Sequence, residues 1–157
     1  MPCRILVPGA GRSGEPLALC QDGFDVTVVD AAPSAIAVQL VRINTAGLSA
    51  KIHEADLMTW SPEVPFDAIY DQTCLCALPP AIWPAYAARL RSWLRPDGLL
   101  FLLAMQTGKS GGPPYDCPEE AMRALFADGW EWPDVLGEIV PHSFAEGEIP
   151  IVLRRIA

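Results

Sequence analysis

A glycine-rich turn between two short apolar stretches constrains the fold of this chain more than any other feature. Ile5–Val7 leads into the turn Pro8–Gly14, which holds three glycines, and the next apolar stretch, Phe24–Val29, ends at Asp30. Glycines allow backbone conformations closed to other residues and close approach of a ligand. An acid at the end of the second strand can accept hydrogen bonds from ribose hydroxyls. The segment therefore predicts a strand, a turn, a helix and a strand that bind a nucleoside cofactor.

Size and charge limit the classes of protein to consider. The chain has 157 residues and a net charge of −8, which predicts one domain, residues 1–157, and argues against nucleic acid or an anionic membrane as partner. It lacks an uninterrupted apolar run long enough to span a bilayer, and the first strand begins too soon after Met1 to leave room for a signal peptide. Five cysteines, an odd number in mostly apolar contexts, favour reduced thiols. We expect a cytoplasmic protein.

Apolar stretches and helical patterns alternate along most of the chain, which predicts an α/β fold with a mostly parallel sheet and helices on both faces. The predicted parallel strands are Cys3–Val7, Asp25–Val29, Ala50–Glu54, Ala68–Tyr70 and Leu99–Met105. Two last segments, Val135–Val140 and Ile149–Ile156, are joined by too short a connection for a helical crossover, so they are expected to form an antiparallel hairpin.

Helix boundaries are predicted from capping and turn residues. The first helix spans Glu15–Gln21, and a second is expected to begin at Ser34 as N-cap and to end at Gly47. A third should run through Leu94 to a turn at Arg95–Gly98. A fourth should have Pro118 at its first position and end at Gly129.

Two further acids follow predicted strands. Asp56 comes after the third strand and is followed by Leu57, which suggests an acceptor for an adenine amine beside an apolar cover. A solvated loop acid is the alternative. Asp71 ends the fourth strand, where it could orient the cofactor, orient the substrate or cap the next helix. The carboxyl ends of neighbouring strands face one crevice in a doubly wound sheet, so we expect these acids near Asp30.

The pair Cys74-x-Cys76 does not predict a metal site. A zinc site usually needs four ligands, and the two histidines, His53 and His142, lack a matching spacing. Buried thiols in the wall of a site are the better interpretation. Trp83 and Tyr115, near the open end of the sheet, are the aromatic residues that we expect beside a substrate.

Several of these stretches together resemble the thiopurine S-methyltransferase family, including its halide and thiol methyltransferase branch. The resemblance is carried by Val7–Gly11, Asp30, the stretch Tyr70–Pro80, the turn Leu94–Gly98, and Gly112–Tyr115 followed by a Pro-Glu-Glu helix. It implies the seven-stranded, Rossmann-like methyltransferase sheet with a C-terminal antiparallel hairpin. It also implies S-adenosyl-L-methionine as cofactor and a small molecule as methyl acceptor.

The site residues expected on these grounds fall into two groups. The cofactor-binding group is Pro8, Gly9, Ala10, Gly11, Gly14, Asp30, Ala31, Asp56, Leu57 and Asp71. The substrate pocket is expected at Cys74, Trp83 and Tyr115. Asp71 is also the candidate catalytic residue, and no metal ligand is assigned.

The chain departs from the family in two places. Members usually carry several dozen residues before the first strand, with Trp-containing helices that cover the cofactor, and the helix after Pro79-Pro80 commonly bears an Arg where this chain has Trp83. The N-terminal segment is thus short or missing in this sequence. Three explanations stay open: a misplaced start site, a lid supplied by another chain, or an open acceptor site. An open site predicts weak, unselective methylation of small thiols, and its exposed apolar surface makes a homodimer plausible.

Methyl transfer from S-adenosylmethionine to a thiol, a thiopurine or a related soft nucleophile is thus the first functional hypothesis. The spacing Gly9-x-Gly11-x-x-Gly14 alone suits a nicotinamide-dependent oxidoreductase equally well. The terminal hairpin and the absence of a Tyr-x-x-x-Lys motif count against that alternative. A third hypothesis is a module that binds the cofactor without turnover.

Overall fold

Strands and helices alternate along the chain as the sequence predicts. The computed structural model describes residues 1–143 and 145–157. The strands are β1 (Arg4–Pro8), β2 (Asp25–Asp30), β3 (Lys51–Glu54), β4 (Phe66–Asp71), β5 (Leu94–Gln106), β6 (Trp130–Glu131), β7 (Val140–His142) and β8 (Ala145–Arg155). The helices are α1 (Glu15–Gln21), α2 (Pro33–Thr45), α3 (Trp83–Trp93) and α4 (Glu119–Leu125), with single 3₁₀ turns at Leu75–Ala77 and Pro80–Ile82.

The strands form one mixed sheet in the order β3-β2-β1-β4-β5-β8-β6, and β7 also pairs with β8. The first five strands are parallel, whereas β8 runs antiparallel to β5, β6 and β7. This confirms the predicted fold class. The described residues form eight strands rather than seven because two short segments, β6 and β7, pair with opposite ends of β8.

The order of the strands determines where a ligand can bind. From β1 the chain first builds outward through β2 and β3, and then returns to the other side of β1 with β4 and β5. The connections after β1 and β4 therefore diverge and leave a crevice at the carboxyl ends of these strands. Such a switch point is the usual binding site of open α/β sheets.

Both faces of the sheet are packed with apolar side chains. One face contacts α1 and α2 through Cys20 and Ile43, and the other contacts α3 and α4 through residues that include Tyr86, Trp93 and Met122. All five of these side chains are buried. Helices therefore hold the central strands from both sides, as expected for a parallel sheet. Among the described residues, no helix combines the length and apolarity needed to cross a bilayer.

The C-terminal hairpin is antiparallel as predicted, but its first strand begins later in the chain than the sequence predicts. Residues 135–139 are not a strand, and β7 begins only at Val140. Val135 is 83% exposed, and the segment makes a long hydrogen bond of 3.4 Å from Gly137 N to Pro150 O. In this segment Leu136 packs against the core, whereas Val135 and Ile139 stay exposed, so apolar composition alone predicted a strand here.

Three helix boundaries also differ from the prediction. Ser34 does not cap α2, because Pro33 already occupies the first turn and extended Ala32 is the N-cap. Pro118 is likewise the N-cap of α4 rather than its first residue, and α4 ends at Leu125, four residues before Gly129. The third helix ends at Trp93, and Leu94 already pairs with Phe66 of β4.

Candidate functional site

The turn after β1 requires glycine at two positions. Gly9 and Gly11 both have φ +55°, in the left-handed region that favours glycine. Gly9 N donates to Val29 O at 2.8 Å, which ties the turn to β2. A Cβ atom at Gly9 would lie 2.6 Å from Cys74 Sγ, so a larger residue would displace the segment after β4. The turn and the Cys74 segment thus form a tightly fitted pair.

Asp30 joins the end of β2 to this turn. Its Oδ2 accepts a hydrogen bond from Gly11 N and its Oδ1 accepts one from Ala32 N, both at 2.8 Å. The residue is buried, with 9% of its surface exposed. Each carboxylate oxygen can accept more than one hydrogen bond. Asp30 therefore holds the turn and the start of α2 in place and still has acceptor capacity for a ligand.

Gln39 of α2 also fastens the turn, and the sequence analysis did not single it out. Its Nε2 donates to Gly11 O at 2.9 Å and to Ser13 O at 3.0 Å, and its side chain is fully buried. Gln39 lies on the same helix stripe as Ile36 and Ile43, which are buried as well. An amide within a buried apolar stripe is a sequence pattern that could have indicated this role.

A cleft of about 250 Å³ opens at the carboxyl ends of β1, β2 and β4. Its lining contains six of the residues predicted for the site: Gly9, Asp30, Ala31, Asp56, Leu57 and Cys74, together with Met58, Ala77 and Leu78. Asp56 is exposed, and its Oδ1 accepts a hydrogen bond from Met58 N at 2.8 Å. The cleft therefore combines two carboxylates with an apolar wall, which suits a ligand with hydroxyl or amine donors and a flat apolar body.

Asp71 lies beneath the far wall of this cleft and is fully buried. Its Oδ2 accepts a hydrogen bond from Tyr86 OH at 2.8 Å, and its Oδ1 accepts from Cys74 N at 3.1 Å and Leu75 N at 3.2 Å. Burial raises the pKa of Asp71 to about 6, although these hydrogen bonds act in the opposite direction. Of the roles considered for Asp71, these contacts are those of an acid that holds the 74–77 turn.

The thiols of this wall are buried, and burial raises their pKa values. Burial raises the pKa of Cys74 well above its ordinary value and raises that of Cys76 to about 12. Burial likewise raises the pKa of their neighbour Cys117 to about 12. Among the described residues, no group of His, Cys, Asp or Glu side chains is arranged to hold a metal ion.

The two aromatic residues predicted beside a substrate both brace the Cys74 segment. Trp83 is 7% exposed, and its indole N–H donates to Leu75 O at 3.0 Å and Leu78 O at 2.9 Å. Tyr115 is half-buried, and its backbone N donates to Cys76 O at 2.7 Å. Trp83 thus supports the wall from below, whereas Tyr115 keeps part of its side chain accessible.

The remaining predicted residues of the turn do not line the cleft directly. Pro8 is the last residue of β1, Ala10 is buried in the core beside α1, and Gly14 is the N-cap of α1. Gly11 meets the site through its hydrogen bond to Asp30. These four residues shape the turn that places Gly9 and Asp30.

A buried acid on β8 is a feature of this end of the sheet that the sequence analysis did not identify. Glu148 pairs with Met105 near the carboxyl end of β5 and is 1% exposed. Its Oε2 accepts from Gln72 Nε2 at 3.4 Å. Burial raises the pKa of Glu148. The sequence pattern that could have indicated this buried acid is its position directly after Gly147, at the start of an apolar strand.

Two solved methyltransferase structures have the same fold as this chain. A SAM-dependent methyltransferase from Methanosarcina mazei superposes with a TM-score of 0.85 at 16% identity, covering 99% of this chain and 93% of that one. Magnesium protoporphyrin IX methyltransferase from Synechocystis with bound SAM has a TM-score of 0.81 at 16% identity, covering 98% and 70% of the two chains. At these identities the similarity shows the fold.

Relatives identified by sequence indicate the family more specifically than the solved structures do. A thiopurine S-methyltransferase of Legionella pneumophila (strain Corby) is 35% identical over 78% of this chain and 63% of its own length. A probable thiol methyltransferase 2 of Arabidopsis thaliana is 33% identical over 82% of this chain and 58% of its own length. The chain thus spans less than two thirds of these relatives. The thiopurine S-methyltransferase (TPMT) family profile matches residues 1–148. The chain belongs to the thiopurine S-methyltransferase family.

Proposed function

We propose that this protein is an S-adenosylmethionine-dependent methyltransferase that acts on a small soft nucleophile such as a thiol or thiopurine. The observation that carries the proposal is the cleft at the switch point of the sheet, where Asp30 meets a glycine turn and Asp56 lies beside Leu57. Membership of the family and the methyltransferase fold support the same conclusion.

The residues of the cleft fit an S-adenosyl nucleoside. Asp30 would accept hydrogen bonds from the ribose hydroxyls with the lone pairs that Gly11 and Ala32 leave free. Asp56 would accept from the adenine amine, while Leu57 and Met58 would cover the ring. Gly9, without a side chain, keeps the backbone open to the ligand. When bound, S-adenosylmethionine supplies a methyl group activated by a sulfonium centre.

The chain's own contribution to the reaction is mainly positioning. Cys74 and Tyr115 would lie on the acceptor side, and Asp71 would hold the 74–77 turn against the glycine turn through its bonds to Cys74 N and Leu75 N. A fixed approach of the nucleophile and exclusion of water account for large rate increases without an acid or base. A thiolate acceptor therefore suits this site.

Two other functions predict different ligands. A nicotinamide-dependent oxidoreductase is favoured by the glycine spacing alone, and it would bind NAD rather than S-adenosylhomocysteine. A module without turnover would bind S-adenosylhomocysteine and release no methylated product. The antiparallel strand β8 next to β5 favours the methyltransferase over the oxidoreductase.

A methyl-transfer assay tests the proposal. The protein is incubated with labelled S-adenosylmethionine and a panel of thiols, selenols, iodide and thiopurines, with Asp30→Ala as the binding-deficient control and Asp22→Ala, an exposed acid at the end of α1, as the matched control. We expect labelled product from at least one thiol with the wild type and Asp22→Ala, and much less with Asp30→Ala. Binding of the cofactor without product from any acceptor would contradict the proposed activity.

A further inference from the structure

The second half of the glycine turn, residues 11–14, is open on one side. A Cβ atom added at Gly11 or Gly14 would meet no other atom within 4 Å. The first half of the turn is tied to β2, because Gly9 N donates to Val29 O and Gly11 N donates to Asp30 Oδ2, both at 2.8 Å. Residues 11–14 therefore need another support to keep their shape.

Helix α2 supplies this support through two side chains that are three residues apart. Gln39 Nε2 donates to Gly11 O at 2.9 Å and to Ser13 O at 3.0 Å. Arg42 Nη1 donates to Arg12 O at 2.9 Å and also to Ser13 O. The carbonyl oxygens of three successive residues of the turn are thus all bound by α2.

These bonds also determine how the amides of the turn are oriented. In a planar trans peptide the N–H group points opposite to the carbonyl group that precedes it. Because Gly11 O and Ser13 O face α2, the N–H groups of Arg12 and Gly14 point away from that helix. Without the donors on α2, these peptide planes would be free to rotate, and the turn would lose its fixed shape.

Gln39 is the more constrained of the two donors. Its side chain is fully buried, whereas Arg42 is half-buried. Its Nε2 has two hydrogen-bond partners, but its buried Oε1 has none among the described residues. An unpaired buried acceptor costs stability, so an apolar residue of similar size would serve better if this position only filled space. The donor function of the amide is therefore the reason for a glutamine here.

We propose that Gln39 is a positioning residue for the cofactor: it holds the glycine turn from the side of α2, so that the cofactor binds without first having to order residues 11–14. This inference rests on the proposed function. Gly11 is the link, because its carbonyl accepts from Gln39 and its N–H donates to Asp30, the carboxylate that would hold the ribose. A site whose shape is fixed before binding avoids part of the entropy cost of association.

The test compares the wild type with Gln39→Met, Arg42→Ala and the control Met122→Ala. Methionine has nearly the size of glutamine but cannot donate to the turn. Met122 is fully buried on α4, which packs on the opposite face of the sheet. Calorimetry measures the affinity for S-adenosylhomocysteine at a temperature at which each variant is folded, and urea unfolding measures the stability of each variant.

We expect Gln39→Met to bind S-adenosylhomocysteine about tenfold more weakly than the wild type, and Arg42→Ala about threefold more weakly. Met122→Ala should keep the affinity of the wild type although it loses more stability, because it leaves a cavity in the core. Gln39→Met loses less stability, since the substitution also removes an unpaired acceptor. A purely structural role of Gln39 predicts the opposite, an affinity that follows stability.

Wild-type affinity in Gln39→Met would overturn the inference, as would an equal loss of affinity in Met122→Ala. If Gln39→Met does not fold, Arg42→Ala decides, and an affinity equal to that of the wild type would overturn the inference.

Amide hydrogen exchange, followed by NMR on the protein without cofactor, separates this inference from the proposed function. The N–H of Gly11 should exchange about tenfold faster in Gln39→Met than in the wild type and in Met122→Ala, because the turn opens locally. If the wild type binds no S-adenosylhomocysteine, the proposed function fails, and the exchange rate still decides whether Gln39 holds the turn. Equal exchange of Gly11 in the wild type and Gln39→Met would overturn the inference.

Discussion

Three glycines in the turn after β1 meet different physical demands. Gly9 has a left-handed backbone and no room for a Cβ atom, because Cys74 Sγ would lie 2.6 Å from it. Gly11 has the same φ of +55° but open space around it. Gly14 has an ordinary φ of −87° and nothing within 4 Å of an added Cβ atom. A side chain is therefore excluded sterically at Gly9, strained by the backbone at Gly11, and tolerated at Gly14.

Alanine substitutions at these positions should rank accordingly. We expect Gly9→Ala to lower the free energy of unfolding most, Gly11→Ala to lower it by about 1 kcal/mol through backbone strain, and Gly14→Ala to change it by less than about 0.5 kcal/mol. Urea unfolding of the three variants measures the order. A Gly9→Ala variant as stable as Gly14→Ala would contradict the tight fit between the turn and the Cys74 segment.

Asp71 should make stability depend on pH with an unusual sign. An unfolded Asp has a pKa near 3.9, and burial raises the pKa of folded Asp71 to about 6. Between these values the folded state binds more protons, so ionisation of Asp71 lowers the free energy of unfolding as the pH rises. Relative to Asp71→Asn, the wild type should lose about 2 kcal/mol between pH 4 and pH 7.

Chemical unfolding of both proteins across this pH range measures the difference, and groups common to both cancel. A difference that grows in favour of the wild type as the pH rises would show that the bonds from Tyr86, Cys74 and Leu75 outweigh burial and lower the pKa instead.

At the scale of the element, β5 contains a bulge at the position where the sequence predicts a turn. Leu94 pairs with Phe66 and Leu99 with Ala68, so four residues of β5 face one residue of β4. Asp97 within this bulge has φ +62°, and its carboxylate pairs with Arg154 Nη1 at 2.9 Å. The predicted turn Arg95–Gly98 is therefore a bulge inside a longer strand.

The backbone at Asp97 allows a matched pair of substitutions. Asp97→Gly and Asp97→Ala both remove the exposed ion pair with Arg154, which contributes little by itself. Only glycine adopts the positive φ without strain, so Asp97→Gly should be more stable than Asp97→Ala by about 1 kcal/mol. Thermal unfolding at one pH provides the comparison, and equal stability would mean that the bulge relaxes without the positive φ.

The elements that could be predicted are those with a strong local pattern. Helix α1 has the predicted bounds Glu15–Gln21, and the five parallel strands lie at the predicted places with ends shifted by a few residues. The stretch at Val135 misled the prediction because Val135 and Ile139 stay exposed, which composition does not reveal. The residues of the site were likewise predictable only where a local pattern marks them. Asp30 and Asp56 end or follow patterned strands, whereas Gln39 and Glu148 depend on packing between distant segments.

At the scale of the whole molecule, the five thiols should differ sharply in reactivity. Cys3 near the N terminus is half-buried, and the other four cysteines are buried. Burial also raises the pKa of every one of them. We expect iodoacetamide at neutral pH to modify Cys3 first, while the others react only as the protein unfolds. Mass spectrometry of peptides over time measures this order, and rapid modification of Cys74 would contradict the closed wall.

The fold, the cleft and the family together predict that this chain binds an S-adenosyl nucleoside. Titration calorimetry with S-adenosylhomocysteine, with NAD as the competing ligand, tests this most directly. The wild type should bind S-adenosylhomocysteine and not NAD, and Asp30→Ala should bind it at least about tenfold more weakly, since a hydrogen bond to a charged group contributes about 1.5–3 kcal/mol. Binding of NAD without binding of S-adenosylhomocysteine, or equal affinity in the wild type and Asp30→Ala, would contradict the account.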